Sequence, residues 1–141
     1  MKVLFVCRAN VGRSQMAEVF FNQLSSFEST SAGTNVYESD GKTVSYHAQT
    51  SANAALVVEI MAEERLDIGS KQRTQLTPEM VNAADKVIVM AARESWPDYL
   101  VEGGKVVFWD ITDPVNMPKC EVETIKDQVK AMVEELVRET E

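Results

Sequence analysis

The chain has 141 residues, 45% hydrophobic and 26% charged, which is enough for one globular domain with a real core and requires no second one. Its formal charge of −8 argues against nucleic acid or an anionic membrane surface as the main partner. No apolar stretch approaches the roughly 20 residues of a membrane span. The 2 cysteines lack the spacing of a disulfide framework or a zinc site. Met1-Lys2-Val3 runs into a core strand rather than a cleavable signal, so the expectation is a cytoplasmic protein that needs no metal or other cofactor.

Val3-Leu4-Phe5-Val6 is a short apolar run of buried-strand type, and it delivers Cys7-Arg8-Ala9-Asn10-Val11-Gly12-Arg13-Ser14 into a helical pattern. Met16, Ala17, Val19, Phe20 and Leu24 recur at helical spacing, giving a first helix to about Ser26. A second strand spans Phe27 to Ser31 and is closed by Ala32-Gly33. Residues 34–50 are polar and without periodicity, and are read as a long functional loop. Within it Tyr37 either lines a cleft or covers the edge of the core, and Tyr46 and His47 are read as surface residues.

Thr50-Ser51 caps a second helix through Ala52, Ala55, Leu56, Ile60 and Met61, ending near 65–69. Thr77-Pro78 starts a short helix before a third strand at 86–90. A helical turn is expected at 96–100 and a fourth strand at 105–109. The last helix covers Glu121 to Glu139, with Val122, Ile125, Val129, Met132, Val133 and Leu136 on one face. Strands alternating with helices predict a single-domain α/β fold: a doubly wound, four-stranded parallel sheet of order 2-1-3-4 with helices on both faces. The loop after the first strand then lies at the carboxyl edge, where ligands sit in such sheets.

That loop pairs a cysteine with an arginine six positions on, followed by serine. A chance Cys-x5-Arg-Ser/Thr match in a chain this long is on the order of one in a hundred. A thiol attacks well only as thiolate, which loop N–H groups and the positive end of the following helix stabilise; the same groups bind anions. Arg13 offers a planar two-pronged donor to an oxyanion, and Ser14 can hydrogen-bond the sulfur. Asn10 and Gly12 tolerate the left-handed backbone of a cradle of inward N–H groups. Asp113, after the fourth strand, is the candidate general acid, with Asp110 as its competitor.

Cys7-x-x-Asn10-x-Gly12-Arg13-Ser14 resembles the phosphate loop of the low-molecular-weight protein tyrosine phosphatases and of their relatives, the thioredoxin-coupled arsenate reductases. Ser31-Ala32-Gly33-Thr34, the strand Lys86-Val87-Ile88-Val89-Met90 and Asp113-Pro114 fall in the family's order. The resemblance implies a cysteine-dependent phosphomonoesterase with Cys7, Arg13 and Asp113 as catalytic residues. It implies that Arg8, Ala9, Asn10, Val11, Gly12 and Ser14 bind phosphate, sulfate or arsenate, and that Tyr37 stacks on a substrate ring. A phosphorylated protein or a small aryl phosphate is the implied substrate.

Two departures stand out. The arsenate reductases carry redox cysteines near 91–94, and here no cysteine lies between Cys7 and Cys120. Val115 also stands where the family places an aromatic after Asp-Pro. The alternatives are an arsenate reductase using an external thiol, to which Gln15-Met16-Ala17-Glu18 is similar, and a non-catalytic anion-binding module. Cys120 is a candidate redox partner of Cys7.

Overall fold

The apolar run at the start of the chain forms β1, Lys2–Cys7, at the centre of the sheet in the computed structural model, which describes residues 1–141. β2, Glu28–Gly33, and β3, Lys86–Val89, flank it, and β4, Val106–Phe108, lies beyond β3. The order is β2-β1-β3-β4 and every pairing is parallel, as the alternation of elements predicts. Successive β1 side chains point to opposite faces and both faces are covered, which is why the strand reads as an uninterrupted apolar run. Val3, Phe5 and Cys7 enter one core, while Leu4 and Val6 enter the other.

The larger core lies under α1, Arg13–Leu24, α3, Ala52–Glu63, and α5, Lys119–Thr140. α5 buries Val122, Ile125, Val129, Val133 and Leu136, a stripe at helical spacing. The smaller core is covered by α4, Pro78–Ala83, with Leu76, Val81, Ala84 and Leu100. The caps behave as expected from their chemistry. Ser51 Oγ accepts from the Ala54 N–H at 3.2 Å to start α3, and Thr77 with Pro78 starts α4. No helix is long and apolar enough to cross a membrane.

Several boundaries differ from the sequence reading. Residues 34–50 are not one loop but hold a 3-10 turn, Tyr37–Ser39, and a short helix α2, Val44–Ala48. α2 is capped by Thr43 and anchored by the fully buried Val44, and one apolar anchor in five residues has no period to detect. The turn expected at 96–100 is present as a single hydrogen-bonded turn, Leu100 N–H donating to Pro97 O at 3.0 Å, and an unexpected 3-10 turn, Arg93–Ser95, precedes it. Trp96 is extended at ψ 137°, because the following Pro97 disfavours the helical region for it. α1 stops at Leu24 rather than Ser26, with Ser25 extended. α5 begins at Lys119 rather than Glu121, and β3 and β4 are each shorter than expected.

Candidate active site

β1 ends at Cys7, paired in register with Gly33, so the loop leaves the carboxyl edge of the sheet beside the end of β2. The loop carbonyls are turned outward and taken. Thr34 N–H donates to Cys7 O and Asn35 N–H to Arg8 O, both at 2.9 Å. Arg73 Nε donates to Ala9 O at 3.1 Å and Gln15 Nε2 to Asn10 O at 3.2 Å. The N–H groups of residues 8–12 donate to no acceptor within the chain. With the amino end of α1, which carries no acidic residue in its first turn, they make a concentration of unpaired donors around Cys7.

The backbone explains two residues. Asn10 is left-handed at φ 56°, as a cradle of inward amides needs. Gly12 is not, at φ −104°, and a Cβ there would meet Val57 and Pro114 at the ordinary contact distances of 3.8 and 3.9 Å, so neither conformation nor space demands a glycine at this position. Gly33 is the glycine the loop requires. A Cβ would lie 2.6 Å from Arg8 O and 2.9 Å from Asn10 N, inside any tolerated contact.

Beneath the loop a directed hydrogen-bond chain ends at the sulfur. Thr74 N–H donates to Asn10 Oδ1 at 2.8 Å, which fixes the amide so that Asn10 Nδ2 donates to Ser14 Oγ at 2.8 Å and to Ser31 Oγ at 3.0 Å. Ser14 Oγ, which accepts that bond, keeps its hydroxyl hydrogen free and lies 3.0 Å from Cys7 Sγ, so that it donates to the sulfur when Cys7 is a thiolate. Cys7, Asn10 and Ser14 are all buried. A hydroxyl so held can stabilise a thiolate, as an attacking group and again as a leaving group.

Arg13 crosses the carboxyl edge of the sheet from the first turn of α1. Its Nη1 donates to Met90 O at 2.5 Å and Ile111 O at 3.1 Å, and Nη2 lies 3.5 Å from Asp113 Oδ2. Arg13 is buried and Asp113 half exposed, so the guanidinium is fixed by carbonyls while the carboxylate is free to move.

Cys7, Ala9, Val11, Gly12, Arg13, Asp113 and Pro114 line one cleft of about 260 Å³. Asp110, the competing acid, lines a neighbouring cleft with Arg8 on the far side of Arg13. Arg8 is exposed there, so its side chain does not face the Cys7 cleft. Tyr37 lies outside that cleft too: it is 66% exposed on its 3-10 turn, and its N–H is tied to Gln75 Oε1 at 2.6 Å. Cys120 is an exposed free thiol at the start of α5, and Cys7 is the one thiol lining the cleft.

The cleft is also lined by His47, Ser51 and Asn53, brought in by α2 and α3 and not expected there from the sequence, and by Val115 and Asn116, which follow Asp113-Pro114. His47, read as a surface residue, is half-buried there. Burial and then the Arg73 charge hold its pKa below the usual histidine value. Ser31, Thr74, Gln15 and Arg73 support the loop from distant segments and carry no local motif. The hydrophobic helix that Ser51 caps and that contains Asn53 was legible, but not the face it turns to the loop.

A family model for low molecular weight phosphotyrosine protein phosphatases matches residues 2–141. A probable low molecular weight protein-tyrosine-phosphatase of Ralstonia solanacearum, EpsP, is 36% identical over 93 residues, 65% of this chain and 57% of that protein's length. The crystal structure of a low molecular weight protein tyrosine phosphatase from T. tengcongensis superposes with a TM-score of 0.78 at 27% identity, over 99% of each chain. A thioredoxin-dependent arsenate reductase of Corynebacterium glutamicum shares the fold, with a TM-score of 0.69 at 24% identity over 98% of this chain and 60% of that one.

Proposed function

We propose, since the chain belongs to the low molecular weight phosphotyrosine protein phosphatase family, that it hydrolyses phosphomonoesters through a cysteinyl-phosphate intermediate on Cys7. The observation that carries this reading is the convergence on one cleft of the Cys7 sulfur, the unpaired N–H groups of residues 8–12, the Arg13 guanidinium and the Asp113 carboxyl group.

The phosphoryl dianion enters the ring of loop amides, its equatorial oxygens taking bonds from them and from Arg13. The Cys7 thiolate attacks phosphorus in line with the leaving oxygen; a sulfur–phosphorus bond forms as the oxygen–phosphorus bond breaks. Asp113, protonated, gives its proton to the leaving oxygen, which departs as an alcohol or phenol. A water then attacks the cysteinyl phosphate as Asp113 takes back a proton, releasing inorganic phosphate, while the Ser14 hydroxyl stabilises the departing thiolate. Asp113 is favoured over Asp110 because it lines the Cys7 cleft and faces Arg13.

The proposed substrates are a phosphorylated protein or a small aryl phosphate, with phosphate, sulfate or arsenate as competing anions. The polar wall of His47, Ser51 and Asn53 takes the place of an aromatic stack on the leaving group. A cytoplasmic location belongs to the same proposal: the nucleophile must remain a free thiol, which a reducing compartment preserves.

The test is hydrolysis of an aryl phosphate between pH 5 and 7 in the presence of a chelator, with arsenate plus a small thiol run in parallel. Turnover that disappears in Cys7→Ser is expected. Arsenate reduction without ester hydrolysis would transfer the site to the reductase reading, and phosphate binding without either reaction would leave an anion-binding module.

A further inference from the structure

The cleft that holds Cys7 and Asp113 is walled by four polar side chains from three separate segments. His47 comes from α2, Ser51 and Asn53 from the cap and first turn of α3, and Asn116 from the turn after Asp113-Pro114. Their hydrogen-bonding capacity is almost unspent. Ser51 Oγ accepts from the Ala54 N–H, which leaves its hydroxyl hydrogen to donate. The ring nitrogens of His47 and the amide groups of Asn53 and Asn116 bond to nothing else in the chain. Asn53 Oδ1 is shielded from water without a partner, a cost that an apolar residue at the same place would not carry. The charged side chains of the cleft are Arg13 and Asp113, both engaged in the reaction, since burial and then the Arg73 charge favour the neutral form of His47. No phenyl, phenol or indole ring lines the cleft, so a leaving ring has nothing to stack on. At about 260 Å³ it is smaller than the roughly 300–1,000 Å³ of pockets for drug-sized ligands, and the group beyond the phosphate is correspondingly small.

We propose that this cleft takes a neutral polyhydroxylated alcohol as leaving group, so that the protein hydrolyses sugar or polyol monophosphates as well as aryl phosphates, with Asn53 and Asn116 as specificity-determining residues. Hydroxyl groups both donate and accept, as the two amides, the Ser51 hydroxyl and the neutral imidazole do, and the C–H faces of such an alcohol pack on Val11 and Val115. The inference rests on the proposed phosphatase activity and names a substrate class for the same site. The sulfur–phosphorus bond forms at Cys7 as the bond from phosphorus to the sugar oxygen breaks, and the Asp113 proton passes to that oxygen. Water then splits the cysteinyl phosphate, giving inorganic phosphate and the free thiolate.

The experiment compares kcat/KM for glucose 6-phosphate and cyclohexylmethyl phosphate, whose leaving groups are primary alcohols of similar size that differ in their hydroxyls. The parent chain is expected to prefer the sugar phosphate by about thirtyfold, the worth of two hydrogen bonds of ordinary net strength. Asn53→Leu removes one of them and is expected to narrow the preference to about fivefold. Asn116→Gly, which keeps the left-handed backbone at φ 60°, is expected to narrow it to the same extent. A purely structural role would lower both rates together and leave their ratio unchanged. A parent preference below about threefold overturns the inference, as does a preference that neither variant narrows. If Asn53→Leu does not fold by circular dichroism, Asn116→Gly decides. Hydrolysis of 4-nitrophenyl phosphate by the parent chain is assayed separately. Turnover of that ester with neither alkyl ester hydrolysed overturns the inference alone; turnover of no ester removes the phosphatase reading, and the inference with it.

Discussion

Replacing Asn10 with alanine removes the hub of the loop. The side chain is fully buried and makes four hydrogen bonds: to Ser14 and Ser31 as donor, from Thr74 and Gln15 as acceptor. At about 1 kcal/mol net for each, their loss amounts to about 4 kcal/mol. Alanine at a left-handed φ of 56° adds about 1 kcal/mol. The sum, about 5 kcal/mol, is at least a third of the stability of an ordinary domain. In urea denaturation followed by circular dichroism, an m-value of about 2 kcal/mol/M turns this into a midpoint lowered by about 2.5 M. A loss below about 1.5 kcal/mol would refute the reasoning, because it would mean that the network is not closed in solution. Asn10→Asp separates energy from direction. The aspartate still accepts from Thr74 but cannot donate to Ser14, so the serine hydroxyl turns to the carboxylate and leaves the sulfur. A smaller stability loss with a slower breakdown of the covalent intermediate is the expected result.

Gly33→Ala drives a Cβ to within 2.6 Å of Arg8 O and 2.7 Å of Val36 Cγ2; a stability loss of about 1–3 kcal/mol with a displaced loop and lost turnover is expected by thermal denaturation and aryl phosphate kinetics. Unchanged activity would mean that the loop does not rest on the end of β2. His47 has a folded-state pKa below its ordinary 6.5, so the unfolded chain takes up the proton at higher pH than the folded one. Stability therefore falls as the pH drops through the ordinary value, and His47→Asn is expected to flatten the change in melting temperature between pH 7.5 and 5.5. With 1 histidine in the chain the slope has an identifiable source, and a variant as acid-sensitive as its parent would contradict this. Tyr37→Ala is expected to leave kcat/KM for an aryl phosphate within about twofold, since the ring is exposed and outside the cleft. A tenfold fall would mean that the ring closes over bound substrate.

What could be read from the sequence was what depends on local pattern. β1 is buried on both faces and reads as an apolar run, α5 shows its stripe at helical spacing, and Ser51 and Thr77-Pro78 mark helix starts by their own hydrogen bonds. The loop was legible because its chemistry is packed into eight consecutive residues, Cys7 to Ser14. Its supports were not. Arg73 and Thr74 reach it from 64 positions away, through contacts that only the parallel sheet and the strap beside β2 bring about. α2 escaped because a single turn held by Val44 has no periodicity, and with it went the place of His47 in the cleft wall. The family resemblance implies that Tyr37 stacks on a substrate ring, but the bonds from the N–H groups of Val36 and Tyr37 to Gln75 Oε1 fix the turn that carries it, and its ring lies outside the cleft.

The covalent intermediate is open to direct observation. Wild type and Asp113→Ala are mixed with an aryl phosphate, quenched in acid within milliseconds, and digested for mass spectrometry of the peptide that carries Cys7. A phosphoryl group on Cys7, accumulating to a larger fraction in Asp113→Ala because water is no longer activated, is the predicted result. Continued hydrolysis with no phosphoryl group on Cys7 in either protein would contradict it.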